Sequence, residues 1–186
     1  MRAEDGDDIR AALIARKDAA LKRWPTRSGD GFEAEMAAIA RELDSLARAL
    51  DGADSDPIQR LRTWCAAGEA YLLIGAKYAV QCATEAFRYA EAAAARAETN
   101  AHELLQLKHQ FGLALLKLAG DRNEQLAAEA ATRLSAALSL ARKHMPVGVA
   151  SIKYELFRAE HTVTQLRGTR RAERRDAEKA REAQAA

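Results

Sequence analysis

The stretch TWCAAGEAYLLIG, residues 63–75, carries the main evidence for the fold of this chain. Trp64 and Gly68 are four residues apart and Gly68 and Tyr71 are three apart, so in a helix all three share one face. A glycine inside a helix costs about 1 kcal/mol relative to alanine. We therefore expect Gly68 to mark a point where a second helix approaches too closely to leave room for a side chain.

The composition around this stretch favours helix throughout the chain. Of the 186 residues, 48% are hydrophobic, 30% are charged and only 5% are aromatic, with alanine dominating the hydrophobic share. Alanine is the best helix former and a poor strand former. The chain has only three prolines, so helices can be interrupted by proline at few positions. The composition predicts a globular all-α protein rather than a disordered chain.

Prolines, glycines and caps divide the chain into about seven antiparallel helices. Asp7 and Asp56 are predicted to cap the first and third helices, and Pro25 is predicted to stop the first. The predicted helices span about 8–24, 32–50, 57–75, 78–98, 101–118 and 123–144, with a seventh starting near 149. Helices of this length joined by short turns form either a stack of helical hairpins or an up-down bundle.

An internal repeat favours the stack of hairpins. The segment beginning GEAYLLIG at Gly68 resembles the segment beginning GLALLKLAG at Gly112, 44 residues later. A short turn and an alanine-rich helix follow each segment. Two similar helical pairs in succession are typical of proteins that stack repeated hairpins.

The repeat resembles tetratricopeptide-repeat proteins, whose pattern is W-x2-L-G-x2-Y in the first helix and A-x3-F-x2-A in the second. The first unit matches at Trp64, Ala67, Gly68, Tyr71, Ala83, Phe87 and Ala90, and the second more loosely at Phe111, Gly112, Leu115, Ala130, Leu134 and Ala137. The 44-residue period exceeds the 34 residues of the family. The resemblance implies hairpins whose first helices line a groove that holds a peptide or a partner's helix.

Matching the family pattern residue by residue gives a set of candidate partner-binding positions. The resemblance places Arg62, Cys65, Glu69, Leu72 and Leu73 of the first unit and Gln106, His109, Leu113, Leu116 and Lys117 of the second on the groove face. In the alternative interpretation, the first two helices fold back and fill the groove.

The repeat also suggests a domain organisation. We expect an N-terminal helical hairpin over residues 1–52, TPR-like repeats with a closing helix over 53–167, and a basic extension over 168–186. The extension is expected to be an exposed helix or disordered, because the apolar stripe ends at Gly168. Residues 167–186 carry a net charge of +3, whereas the whole chain carries +2.

Few residue patterns indicate catalysis or metal binding. His102 and His109 are seven residues apart, about 10.5 Å along a helix, and neither a di-iron nor an HExxH signature is present. Cys65 and Cys82 are spaced neither as a CxxC pair nor as a disulfide framework. We expect no enzyme activity, no metal and no cofactor.

The sequence therefore predicts a non-catalytic adaptor or assembly scaffold that binds a protein or peptide partner, with self-association left open. The acidic N-terminus and the lack of a long apolar run predict a cytoplasmic protein without membrane contact. The alternative is a nucleic-acid-associated regulator that uses the arginine-rich tail, although interleaved acids and missing aromatics disfavour nucleic acid. A helical-bundle enzyme or small-ligand binder is the least favoured interpretation.

Overall fold

The computed structural model describes residues 2–25, 29, 31–53 and 55–185, and these residues form seven α-helices and no strand. The helices are α1 (Arg2–Lys22), α2 (Phe32–Gly52), α3 (Pro57–Ile74), α4 (Lys77–Ala94), α5 (Ala101–Ala119), α6 (Glu124–His144) and α7 (Val149–Ala185). A single 3-10 turn, Pro146–Gly148, precedes α7. None of the described helices combines the length and apolarity needed to cross a bilayer.

Side-chain caps fix the starts of three helices. Asp56, Asn100 and Asn123 each accept a hydrogen bond of 2.9–3.0 Å from a backbone N–H two or three residues further on. Such bonds satisfy amide groups that have no partner within the helix. The predicted starts of α3, α5 and α6 are confirmed to within one residue.

The prediction was wrong at the start of α1 and at the end of α4. Helix α1 already begins at Arg2, and Asp7, predicted as its cap, lies inside the helix with its carboxylate 3.1 Å from Arg10 Nη1. Because α1 already includes the residues before Asp7, Asp7 lies beyond the first turn, where a helix has unpaired backbone amides for a side chain to cap. Helix α4 ends at Ala94 instead of near Glu98, and the Thr99 hydroxyl donates to the Ala94 carbonyl.

The helices stack in chain order rather than closing into a ring. Each helix packs against its neighbours in the chain, and α1 also contacts α3, α3 contacts α5 and α5 contacts α7. Among the described residues, no pair of even-numbered helices makes comparable backbone contact. The odd-numbered helices therefore form the inner layer of a curved stack of helical hairpins, as predicted for the fold class.

The N-terminal hairpin extends this stack. The apolar stripe of α2 is buried, and its fully enclosed residues include Met36, Ile39 and Leu43. Helix α2 packs mainly on α3, whereas α1 touches α3 only at the edge of the inner layer. The first two helices thus bury the stripe internally without filling the space between α3 and α5.

Trp64 of the opening stretch lies between hairpins. Its ring is 1% exposed and stacks on Tyr89 of α4 with 4.7 Å between centroids. Its indole N–H donates to Asp51 of α2 over 3.0 Å, and the Arg48 guanidinium lies 5.5 Å from its ring. Trp64 therefore joins the first hairpin to the second and leaves the opposite face of α3 free to line a groove.

Candidate functional site: the inner groove

Two adjoining cavities open on the inner layer, between the end of α1 and the helices α3 and α5. The first, about 370 Å³, is lined by Leu21, Leu61, Arg62, Cys65, Ala66, Glu69, His102, Glu103 and Gln106. The second, about 320 Å³, is lined by Trp24, Glu69, Leu72, Leu73, Gln110, Leu113 and Lys117. Glu69 borders both cavities, and we call their combined surface the inner groove.

Most of the positions implied by the resemblance meet in this groove. Both cavities together contain Arg62, Cys65, Glu69, Leu72, Leu73, Gln106, Leu113 and Lys117. Leu116 is 7% exposed and lines neither cavity, and His109 also lies outside them. The spacing of the repeat therefore located one continuous surface made by two helices.

Polar side chains of the groove bridge α3 and α5. Arg62 Nε lies 2.7 Å from Glu103 Oε1, and the Gln106 amide donates to Glu69 Oε1 over 2.5 Å. Because each bridge joins successive inner helices, these side chains fix the width of the groove as well as its chemistry.

The apolar part of the groove is centred on Leu73 and Leu113. Leu73 is 52% exposed and Leu113 is half-buried, whereas Leu72 is only 6% exposed. Lys117 donates to the Leu72 carbonyl over 3.4 Å and so lies along this apolar strip. A partner can reach Leu73 directly, but Leu72 contributes mainly to packing beneath the surface.

Burial changes the ionisation of two groups in the first cavity. It raises the pKa of the Glu69 carboxyl, and the hydrogen bond from Gln106 offsets part of that rise. Burial, followed by the charges of Glu69 and Glu103, raises the pKa of the Cys65 thiol to about 12. A thiol with this pKa stays protonated near neutral pH, which makes Cys65 a poor nucleophile.

His109 lies on the side of α5 that faces α7. Burial lowers its pKa, and the carboxylate of Glu155 on α7 opposes that effect. Its Nε2 atom is enclosed and has no hydrogen-bond partner among the described residues. His109 is thus a half-buried imidazole between α5 and α7, with its Nε2 atom enclosed.

The 44-residue spacing continues into α7. Successive steps of 44 residues lead from Trp64 of α3 to Lys108 of α5 and Ile152 of α7. Each of these residues contacts the helix that precedes its own helix in the chain. Trp64 donates to α2 and Lys108 forms an ion pair with Glu91 of α4. Ile152 belongs to a buried cluster with residues of α6. Helix α7 therefore continues the inner layer after α3 and α5.

The same spacing identifies exposed aromatic residues on α7 that were not among the predicted partner-binding positions. Tyr154, Phe157 and His161 follow Gln110, Leu113 and Lys117 by 44 residues. Tyr154 is 62% exposed and Phe157 is 63% exposed, and the His161 ring stacks on Phe157 with 5.9 Å between centroids. Among the described residues, α7 lines neither cavity, so these exposed aromatic side chains extend the inner layer beyond the groove.

The end of α1 supplies a second set of residues that prediction missed. Leu21 of α1 and Trp24, two residues beyond the end of α1, line the groove, although this segment shows no match to the repeat. Glu103 was also missed because the family pattern gives no role to its position. Within the described residues, no group of three or more histidine, cysteine or acidic side chains is arranged to hold a metal ion.

No family model, curated protein or solved structure matches this chain. The likeness to tetratricopeptide repeats accordingly rests on the residues quoted from the sequence. A fold does not define a partner, so the residues of the inner groove are the evidence for function.

Proposed function

We propose that this chain is a non-catalytic, tetratricopeptide-like adaptor or assembly scaffold of the cytoplasm, which holds a peptide or a partner's helix in the inner groove. The observation that carries the proposal is the convergence of predicted partner-binding residues from α3 and α5 on two adjoining cavities. Such a surface combines apolar pockets with charged and amide groups, as peptide-binding grooves do.

The exposed apolar residues of the inner layer support the same proposal. Leu73 of α3 and Phe157 of α7 are each more than half exposed, and Leu113 of α5 lies on the equivalent face between them. Aligned apolar residues that remain open to solvent commonly mark protein interaction sites. A segment lying across α3, α5 and α7 would cover all three.

A charged substitution in the groove tests the proposal. We expect the immobilised chain to retain a defined set of proteins from its native cell, and Leu73→Asp to lose that set while keeping its helical circular dichroism. Tyr78→Asp is the matched control, because Tyr78 is 76% exposed on α4 outside the groove. A folded Leu73→Asp variant that retains the same proteins as wild type would contradict the proposal. Mass measurement in solution, with and without the substitution, detects self-association through the groove.

The second candidate is a nucleic-acid-associated regulator, supported by the arrangement of arginines on α7. Arg167, Arg170, Arg171 and Arg174 lie at helical spacing on one face, which suits contact with phosphates. Two of them already pair with Glu124, at 2.8 Å each. Retention on DNA or RNA at low salt, lost after deletion of residues 171–186, would favour this candidate. Absence of retention at low salt would reject it.

A further inference from the structure

The first cavity of the inner groove combines apolar walls with acidic groups. Leu21, Leu61 and Ala66 provide apolar lining, and Glu69 and Glu103 provide two carboxylates. Its volume of about 370 Å³ lies at the small end of the range for ligand pockets. A cavity of this kind suits a long side chain with an aliphatic stem and a polar head.

The two carboxylates differ in how their charges are balanced. Glu103 forms an ion pair with Arg62 at 2.7 Å. Glu69 accepts a hydrogen bond from the neutral amide of Gln106. None of the ion pairs among the described residues includes Glu69. A half-buried carboxylate without a cation is costly, and burial accordingly raises the pKa of Glu69. The cavity therefore has one negative charge that the chain itself does not offset.

A group that binds in this cavity has to compensate the negative charge of Glu69. An anion would meet two carboxylates, and a purely apolar group would desolvate Glu69 further without compensation. A guanidinium or ammonium group would supply charge-assisted hydrogen bonds while its stem covers the partly exposed Leu21 and Ala66. Charge complementarity thus selects a basic side chain.

We propose that the first cavity binds an arginine or lysine side chain of the partner peptide, with Glu69 as its counter-charge. This inference rests on the proposed function of the groove and specifies the chemistry of its ligand. Because Glu69 also borders the second cavity, a neighbouring apolar residue of the same peptide would contact Leu73 and Leu113. The recognised segment is then a basic residue beside an apolar one.

Small probes test the cavity on the full chain without knowledge of the partner. We would titrate n-butylguanidinium into isotopically labelled protein and follow the methyl signals of Leu21 and Leu61 and the side-chain amide of Gln106. The expected result is saturable shifts, with the neutral isostere n-butylurea binding about tenfold more weakly or worse because it lacks the charge. Equal binding of both probes, or no saturable shift with the cation, would overturn the proposal.

A substitution at Glu69 provides a second test of the proposed counter-charge. Glu69→Gln keeps an oxygen that accepts the Gln106 amide, and we expect it to weaken n-butylguanidinium binding about tenfold while the chain stays folded. Glu85→Gln removes an exposed carboxylate on α4 outside the groove and should leave binding unchanged. Undiminished binding by Glu69→Gln would overturn the assignment of the counter-charge.

The two proposals fail in distinguishable ways. If Leu73→Asp loses the captured proteins but Glu69→Gln retains them at wild-type strength, the groove binds a partner and the basic-residue assignment is wrong. If Leu73→Asp retains them, the groove proposal itself fails. A wild-type dimer that dissociates in Glu69→Gln and after deletion of residues 171–186 would place the arginine-rich tail of a second copy in the cavity, and would overturn the assignment to a partner peptide.

Discussion

Gly68 lies directly beneath the ring of Phe87, so a Cβ atom added to the glycine would stand 2.8 Å from Cε1 and Cζ of that ring. Gly112 repeats the relationship, since its Cβ would lie 2.7 Å from Cγ of Leu134. Helices α3 and α5 therefore each carry a glycine where the following helix closes on them. At the equivalent position, α7 has Leu156, and no further helix follows it in the described residues.

Substitution of Gly68 by alanine should destabilise the protein. Overpacking of a core typically costs about 1–3 kcal/mol, whereas the gain in helix propensity is about 1 kcal/mol. We expect a net loss of up to about 2 kcal/mol in the free energy of unfolding, measured by urea denaturation. Phe87→Leu in the same chain should recover part of this loss, because the two side chains then share the space.

Gly168→Ala is the matched control for this substitution. Gly168 lies in α7, is exposed and has no atom within 4 Å of an added Cβ. Alanine there should stabilise the chain or leave its stability unchanged. If Gly68→Ala were as stable as Gly168→Ala, the close approach of α3 and α4 would not be the reason for the glycine.

Cys65 should resist alkylation in the folded protein. Its pKa is raised to about 12, so the reactive thiolate is scarce at pH 8. In a Cys82→Ser background, we expect iodoacetamide to modify Cys65 only after unfolding in guanidinium chloride, as followed by intact-protein mass spectrometry. A Cys introduced by Ser139→Cys on the exposed face of α6 should react without denaturant. Equal rates at the two thiols under native conditions would show that the Cys65 thiol ionises as readily as an exposed one.

Local rules predicted the central hairpins well because the evidence there is local. Asp56, Asn100 and Asn123 are caps that act within three residues. The glycines of the repeat gave a register for the helices around them, and this register placed the groove residues. In these regions the sequence contains the starts of three helices and the facing of α3 and α5, whereas the end of α4 was predicted wrongly.

Prediction failed where packing depends on distant parts of the chain. Helix α1 has no clear apolar stripe, and Lys17 is among its most buried residues because its ammonium donates to Gln59 of α3 over 2.9 Å. Nothing in the sequence of α1 indicates that partner. In α7, Ile152 and Leu156 replace the tryptophan and glycine of the first unit, so the pattern did not identify the exposed Phe157 as a candidate residue.

The end of α7 should contribute helix but little stability. The residues from Arg171 to Arg181 are all exposed, whereas Val163 and Leu166 are half-buried. Truncation after Arg170 should change the free energy of unfolding by less than about 0.5 kcal/mol and reduce the circular dichroism at 222 nm. Truncation after Ala159 removes the two half-buried side chains and should lower the thermal midpoint. A lowered midpoint in the shorter deletion would indicate that the end of α7 packs on the body of the chain.

Protonation of His109 should destabilise the folded chain at acidic pH. Because burial lowers its pKa, the unfolded chain binds the His109 proton more readily than the folded chain does. Its contribution to stability is therefore fully present above the unfolded pKa of about 6.5 and is lost as the pH falls toward the folded pKa, with a slope of at most about 1.4 kcal/mol per pH unit. The contribution of Glu69 to stability changes with pH in the opposite direction. Its pKa is raised, so the folded chain holds its proton more tightly than the unfolded chain does.

Comparison of variants separates the two groups. Urea denaturation of wild type and His109→Gln between pH 5 and pH 8 should give a difference in stability that shifts against wild type as the pH falls. Glu69 is present in both chains and cancels from this difference. His144→Gln, at an exposed histidine near the end of α6, should keep the wild-type dependence on pH. Parallel profiles for wild type and His109→Gln would show that the imidazole between α5 and α7 takes up its proton as easily in the folded chain as in the unfolded one.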